Sequence, residues 1–414
     1  MKTIKLDNKW LIMSPSVFVD MVNEHTILLY DTKNGHYLIS HDNKLISLVT
    51  ILYKPQNLGV VNAEILADYN SVDIDEALEK GFIYTKNMTN KYKPINFLPI
   101  LNLQKDLEKE DENGIKGRLQ IIGSKLRFVS GVYITLDYAV SNNDEKLFQL
   151  RNIAATQHPC PSYGNVNEKL SVDNVKYILE NLKLTSTAIV DFICTSYYFE
   201  NYSFRNFLEL ISKYGFSYRF HLYIEDYERL AQELEMLEDK PIVEFVIYND
   251  RFSSHNVILQ NKSLPYKIKQ VTLIYDECDL QIGNENMLPV WTGDNMEFFK
   301  KNIWIEKSDI DNTVVNMHSI FRNKKLNANF FGIIDFIPNG NIYPHGVKHS
   351  IGNISDPKFS FSSVIVKELK DNNSWRLTRN LTHCSQCPYR YLCPPISIYE
   401  MQLKNIKMCN INKH

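Results

Sequence analysis

The chain has 414 residues, more than one hydrophobic core usually organises, so two or three domains are expected. Hydrophobic residues make up 44% of it and aromatic residues 12%, which is enough for packed cores and excludes an intrinsically disordered chain. The 46 basic and 48 acidic residues leave a net charge of −2, which argues against a nucleic-acid-binding protein with a broad basic face.

Hydropathy and cysteine content predict a soluble cytoplasmic protein. The chain start, MKTIKLDNKWLIM, has no apolar run of signal-peptide length, and no stretch approaches the roughly 18 apolar residues of a membrane span. We therefore expect neither a membrane nor a nucleic acid as a partner. The seven cysteines are an odd number, and closely spaced cysteines in a reducing compartment bind metal more often than they pair.

Residues 1–87 predict a small winged-helix domain. Three apolar runs indicate strands, and an Asn-Gly dipeptide between the last two supplies a tight turn. Three short helices and a final strand follow. The three predicted strands cover Val17–Val22, Ile27–Tyr30 and Tyr37–Ile39. Residues 88–118, rich in proline and mixed charges, predict a linker.

Residues 119–325 alternate between strand-like and helical segments. Runs rich in valine, isoleucine and aromatic residues are separated by amphipathic stretches, which is typical of βα units with a mainly parallel sheet. The predicted strands are 131–137, 188–194, 218–224, 243–248 and 269–275. This pattern predicts the α/β class and a partial (β/α)6 barrel.

Four cysteines near the C-terminus have the spacing of metal ligands. Cys384-x2-Cys387-x5-Cys393 and the later Cys409 supply four thiolates, enough for a tetrahedral zinc site or a [4Fe–4S] cluster. Prolines in and beside the run keep it non-helical, so the sulfurs can wrap around a metal. The spacing alone does not separate iron from zinc, and four unrelated buried cysteines are the alternative.

Residues 326–414 resemble the SPASM domain of radical S-adenosylmethionine peptide-modifying enzymes. The resemblance rests on the hairpin IDFIPNGNIYPHG, a Gly-Asn-Ile and the run CSQCPYRYLC, which occur in the family's order. It implies one [4Fe–4S] cluster on the four cysteines, with zinc as the alternative. His345 and Ser397 stand where the family has further cysteines, so the family's second auxiliary cluster lacks ligands.

The predicted barrel resembles that of radical enzymes but lacks both of its cofactor motifs. A CxxxCxxC is expected after the first strand, but only Cys160 follows, alone and too far along the chain, and Cys194-Thr195-Ser196 replaces the Gly-Gly-Glu. The pattern resembles pseudo-radical-SAM/SPASM proteins of ribosomal peptide natural-product (RiPP) systems. It implies no S-adenosylmethionine binding and no catalytic residue. Cys160, Cys194 and Cys278 are interpreted as structural thiols.

The order of elements in residues 1–87 also resembles a RiPP recognition element, which binds a leader peptide as an added strand. The third strand would offer unpaired backbone groups at a sheet edge, and a nearby helix would line an apolar cleft. The predicted peptide-binding residues are Tyr37, Leu38, Ile39, Ile74, Ala77 and Leu78. DNA binding is disfavoured because that helix is acidic, and a purely structural domain is the other alternative.

These resemblances imply a non-catalytic partner protein that binds a precursor leader peptide and presents it to a true radical SAM maturase. The alternative is a redox-active iron–sulfur enzyme, or an electron-transfer subunit, that acts on a peptide. A third possibility is a zinc-stabilised binding module without iron.

Overall fold

The computed structural model describes residues 8–88, 92–99, 127–138, 145–160, 168–234, 243–251, 266–281, 286–371, 373–403 and 408–411. Over these residues the chain is an α/β protein with one nine-stranded, mostly parallel sheet and two three-stranded antiparallel sheets. None of the helices in these segments has the length and apolar character needed to cross a lipid bilayer.

Two small antiparallel sheets form the N-terminal region. The first has the strand order β5-β1-β6 and the second β2-β3-β4. Asp42 and Ser71 cap the two α-helices by accepting backbone N–H bonds. The elements are β1 (Lys9–Met13), β2 (Val17–Asn23), β3 (Thr26–Asp31), β4 (Tyr37–Ser40), α1 (Asn43–Leu52), β5 (Val60–Asn62), α2 (Val72–Glu79) and β6 (Ile83–Asn87).

The predicted strands of this region are confirmed, and two further strands were missed. The segment VNAEILADYN, expected to be a helix, supplies the end of β5 and a single 3-10 turn, Ala63–Ala67. A three-residue strand such as β5 carries too little periodicity to be recognised. Of the predicted linker, residues 88 and 92–99 are described and the remainder is not. Asn96 donates to the Met13 carbonyl at 2.9 Å, which holds the described part on the N-terminal region.

The nine-stranded sheet has the order β12-β11-β10-β9-β8-β7-β13-β14-β15. Its first six strands in chain order pair in parallel with their sequence neighbours, the topology of consecutive βα units. The five predicted strands are confirmed. The strands are β7 (Gly131–Thr135), β8 (Ile189–Ile193), β9 (Ser217–Tyr223), β10 (Val243–Asn249), β11 (Lys267–Ile274), β12 (Met287–Pro289), β13 (Ile333–Phe336), β14 (Asn341–Pro344) and β15 (Gly352–Asn353).

The hairpin predicted near residue 340 is β13–β14, and it extends this same sheet. β13 pairs in parallel with the free side of β7, and β14 and β15 follow as antiparallel strands. Residues on both sides of the proposed domain division at 325/326 therefore share one sheet.

Several helices cover one face of the sheet, where side chains such as Val132, Phe192 and Phe220 pack against helical residues. The opposite face carries polar groups such as Asp191 and His221, and the helix Glu145–Gln157 packs on it. The helices are α3 (Glu145–Gln157), α4 (Val172–Leu182), α5 (Phe204–Ile211), α6 (Ile224–Leu234), α7 (Met296–Asn302), α8 (Lys307–Asp311), α9 (Met317–Lys325), α10 (Phe361–Asp371) and α11 (Ile398–Gln402).

Candidate functional site

Three of the four predicted ligand cysteines lie within residues 384–393, and the fourth, Cys409, lies near the C-terminus. Cys384 and Cys393 are buried, and Cys387 and Cys409 are half-buried. A turn in which the Cys387 N–H donates to the Cys384 carbonyl at 2.8 Å brings the first two together. Cys409 is placed by a β-bridge to Ile305, whose carbonyl accepts from the Asn410 N–H at 2.9 Å.

The Cys393 thiol lies within electrostatic range of the other three cysteines. Burial raises the pKa of the Cys393 thiol to about 12, the Arg379 guanidinium opposes the rise, and charge on each of the other three cysteines adds to it. Arg379 also places Nη1 3.8 Å from the Cys384 sulfur. The Arg379 guanidinium is therefore a buried cation beside Cys384 and Cys393.

Arg379 is fixed from two sides. Its guanidinium makes a bidentate pair with Glu400, at 2.8 and 3.2 Å, and donates to the Pro394 carbonyl at 2.7 Å. Glu400 also completes a capping box with Ser397 at the start of α11. Ser397, which stands where the family has a cysteine, is therefore a helix cap here.

The sulfurs do not form a closed ligand shell. Within the described residues, no three His, Cys, Asp or Glu side chains are arranged so that they could hold a metal ion. The donor types nonetheless suit a thiolate centre, because all four are cysteines and the buried Arg379 can offset negative charge on Cys384 and Cys393.

The loop between Cys387 and Cys393 packs against the β2-β3-β4 sheet of the N-terminal region. Its three central residues each contact one strand residue of β2 or β4. Tyr389 packs edge-on against Tyr37 with ring centroids 5.7 Å apart, Arg390 pairs with Asp20 at 2.8 Å, and Tyr391 packs edge-on against Phe18 at 6.2 Å. The cysteine segment is thus the docking surface for one face of the β2-β3-β4 sheet.

Replacing Asp20 by asparagine should weaken this docking. The Asp20 and Arg390 side chains are each 6% exposed, and Lys324 lies 3.9 Å from Asp20. The substitution would leave buried positive charge without its counter-ion, so we expect a loss of about 3 kcal/mol in the free energy of unfolding. Urea unfolding measures it, with the exposed Asp68→Asn as the matched control; equal stability of the two variants would contradict the docking role.

Strand β4 is an open edge of its sheet. The Asp31 N–H donates to the His36 carbonyl at 2.8 Å, and antiparallel bonding alternates along the register that pairs Leu29 with Leu38. The backbone groups of Tyr37 and Ile39 therefore face away from β3. Among the described residues β4 pairs with β3 alone, as the predicted peptide-binding edge requires.

The side chains of the predicted peptide-binding residues divide into two groups. Leu38, Ile74 and Ala77 are buried together in the core of the N-terminal region, and Leu78 packs against that core. Tyr37 and Ile39 instead pack against the core that contains Cys393. The two groups thus lie on opposite faces of β4, and the edge between them carries the outward backbone groups.

Helix α2 borders that edge. Lys80 Nζ, just after the helix, donates to the outward Tyr37 carbonyl at 3.0 Å, and Ser40 donates to Asp73 near the start of the helix. A backbone N–H of an added strand would replace Lys80 as the donor to the Tyr37 carbonyl. The ammonium group of Lys80 would then be solvated by water, because this side chain is exposed.

Two internally bonded carboxylates lie just after the carboxyl ends of β7 and β9. Asp137 accepts from the Thr195 N–H at 2.8 Å and from its hydroxyl, and Asp226 accepts from the Ser196 N–H and hydroxyl at 2.9 and 2.7 Å. Thr195 and Ser196 stand where the resemblance placed a cofactor-binding Gly-Gly-Glu. Their backbone N–H groups are thus already paired within the protein.

Stability should fall as this pair of carboxylates ionises. Burial raises the pKa of Asp137 from 3.8 to about 7, with the Asp226 charge adding and Thr195 opposing. A raised carboxyl pKa favours folding at low pH, and this stability is lost as the pH rises to the folded pKa. At about 1.4 kcal/mol per pH unit, the loss between pH 4 and 7 approaches ~4 kcal/mol.

Asp137→Asn removes that titration. The difference in free energy of unfolding between Asp137→Asn and the unmodified protein should therefore shift in favour of the variant as the pH rises from 4 to 7. The exposed Asp173→Asn should show no such shift. Parallel curves for the protein and Asp137→Asn would contradict the assignment.

His345 stands where the resemblance places a cysteine, and the structure puts it in a cavity at the carboxyl ends of β7 and β8. Its Nδ1 pairs with Asp335 at 2.9 Å, and its ring stacks on Tyr133. The predicted hairpin could have suggested the pair, since Asp335 lies opposite Tyr343 and His345 follows Tyr343 by two residues on the same face.

No protein-family model matches the chain, and no curated protein matches its sequence. Among solved structures it is similar to SuiB of Streptococcus suis in the crystal structure of SuiB bound to the precursor peptide SuiA. The TM-score is 0.39 and the sequence identity 11%, over 97% of this chain and 100% of that chain. A similarity at this level defines neither the fold family nor the function of the chain.

Proposed function

We propose that this protein binds the leader of a ribosomally made precursor peptide at β4 and presents the peptide to a separate radical SAM enzyme. The observation that carries the proposal is the open edge of β4, where the backbone groups of Tyr37 and Ile39 face outward. An extended peptide that pairs there gains main-chain hydrogen bonds, and its alternate side chains give selectivity.

A non-catalytic role is supported by the bonding at the strand ends. Thr195 and Ser196 N–H groups donate to Asp137 and Asp226, so these groups are not free to receive a ligand without breaking buried hydrogen bonds. Cys160, the cysteine after β7, is buried and contacts the Tyr223 hydroxyl at 3.7 Å. The nine-stranded sheet and its helices would then serve as a scaffold that holds the peptide or the partner enzyme.

We further propose that Cys384, Cys387, Cys393 and Cys409 hold one [4Fe–4S] cluster, with zinc as the alternative. A bound centre would cross-link a segment with little regular structure and so stabilise it. Arg379 would offset negative charge on the sulfurs, and the loop from Cys387 to Cys393 would keep the N-terminal sheet docked.

Affinity capture from the native cell tests the proposal. The unmodified protein should enrich one small ribosomal peptide and one radical SAM enzyme, as identified by mass spectrometry. A bait protein that carries Ile39→Pro, and that circular dichroism shows to be folded, should no longer enrich the peptide. Enrichment of neither molecule over this matched bait would contradict the proposed function.

A further inference from the structure

A cavity of about 230 Å³ lies at the carboxyl ends of β7 and β8, on the sheet face that carries Tyr133 and Thr135. The end of α3, the β13–β14 hairpin and α11 complete its wall. Gln402 of α11 donates to the Thr156 carbonyl at 3.2 Å, which holds α11 against the end of α3. The cavity is separate from the β4 edge and from the cysteine segment.

His345 is held rigidly in the wall of this cavity. Its Nδ1 lies 2.9 and 3.0 Å from the two Asp335 oxygens, and its ring stacks on Tyr133 with centroids 4.8 Å apart and planes at 24°. Burial opposes protonation, yet the adjacent Asp335 charge raises the pKa of His345. In its protonated form the ring presents Nε2–H as a donor, and no described residue accepts from it.

Three hydroxyl groups join His345 in the cavity lining. Tyr133, Thr135 and Tyr138 line it, and none of their hydroxyls has a protein hydrogen-bond partner within the described segments. Lys348 stands at the rim. Hydroxyls that face a cavity without a protein partner can donate to a ligand there, so such a lining suits a ligand that accepts hydrogen bonds.

The acidic and basic groups of the lining favour an anion. Asp335 is the one carboxylate in the described lining, and it is engaged by His345. His158 is neutral, because burial lowers its pKa to about 4, and its Nε2 lies 2.8 Å from the Pro289 carbonyl. Because Asp335 is paired with protonated His345, Lys348 leaves the described lining with a net positive charge.

We propose that this cavity binds a small carboxylate, whose oxygens accept from His345 Nε2–H and from the Tyr133 and Thr135 hydroxyls. A volume of about 230 Å³ is below the range of about 300–1,000 Å³ usual for drug-sized ligands, so the ligand is of amino-acid size. The carboxylate belongs either to a free small molecule or to an acidic side chain of a peptide.

Calorimetric titration of the full-length protein with propionate, and with its neutral isostere propionamide, tests this site. Propionate should bind saturably and at least tenfold more tightly than propionamide. His345→Gln should weaken propionate binding at least tenfold, and the milder Tyr133→Phe severalfold. His349→Gln, an exposed neighbour outside the lining, is the matched control and should bind normally.

Competition distinguishes the two sources of the carboxylate. Displacement of propionate by acetylated Ala-Glu-Ala, but not by Ala-Gln-Ala, assigns the site to a peptide side chain; no displacement by either assigns it to a free small carboxylate. Equal affinity for propionate and propionamide would overturn the proposal, as would unchanged propionate affinity in both folded variants. Neither result bears on peptide pairing at β4, so the two proposals can fail separately.

Discussion

Replacing Ile39 by proline should reduce the affinity of the protein for its precursor leader by about tenfold to a hundredfold. The Ile39 N–H faces away from β3, toward the place where an added strand would pair. Proline removes this donor and leaves a peptide carbonyl unsatisfied, which costs about 1–3 kcal/mol. At about 1.4 kcal/mol per tenfold change, that cost gives the predicted range.

Two control variants separate the lost hydrogen bond from other effects. Ile39→Ala keeps the N–H but removes side-chain packing against the core that contains Cys393, and it should retain most of the affinity. Met21→Pro places the same ring on β2, the opposite edge of the sheet, where the side chain is 44% exposed. Leader affinity measured by fluorescence anisotropy decides the matter; a folded Ile39→Pro protein with normal affinity would exclude strand addition at β4.

Replacing Cys393 by serine should abolish metal binding at the cysteine segment. Cys393 is 7% exposed and lies within electrostatic range of the other three cysteines. Three remaining thiolates cannot complete a four-cysteine site. Anaerobically purified protein should carry about four iron atoms per chain and absorb visible light as iron–sulfur proteins do, and the variant should do neither.

The loss of the centre should also lower stability strongly, because binding to a site that is absent from the unfolded chain contributes folding free energy. The matched control is Cys278→Ser, since Cys278 is exposed and outside the segment. It should keep the full iron content and the same melting temperature. One zinc per chain would select the zinc alternative, and unchanged metal in Cys393→Ser would remove the site as proposed.

The parallel strands could be predicted from sequence because their composition is distinctive. Runs such as AIVDFIC and VEFVIY are rich in β-branched and aromatic residues, which suits strands buried on both faces. Strands β1 and β5 could not be predicted because they are short. The five residues KWLIM and the three residues of β5 show no clear alternation of polar and apolar side chains. The extension of the sheet by β13 was missed because pairing between distant segments leaves no local pattern.

The candidate site was predictable only where it depends on spacing. The cysteine run and the β4 edge follow from short stretches of sequence. The contacts of Tyr389, Arg390 and Tyr391 with the N-terminal sheet join residues more than 300 positions apart, so only the structure reveals them. The hydrogen bond between Asp137 and Thr195 likewise joins the ends of two strands, and nothing in the sequence around either residue indicates that they are paired.

The central claim is that this chain holds a peptide for another enzyme and does not itself cleave S-adenosylmethionine. The most direct test is anaerobic incubation of the purified, metal-loaded protein with S-adenosylmethionine, a strong reductant and the captured peptide, followed by chromatography for 5′-deoxyadenosine. We predict no 5′-deoxyadenosine above a protein-free control, and its appearance only when the captured radical enzyme is added. Release by this chain alone would contradict the account.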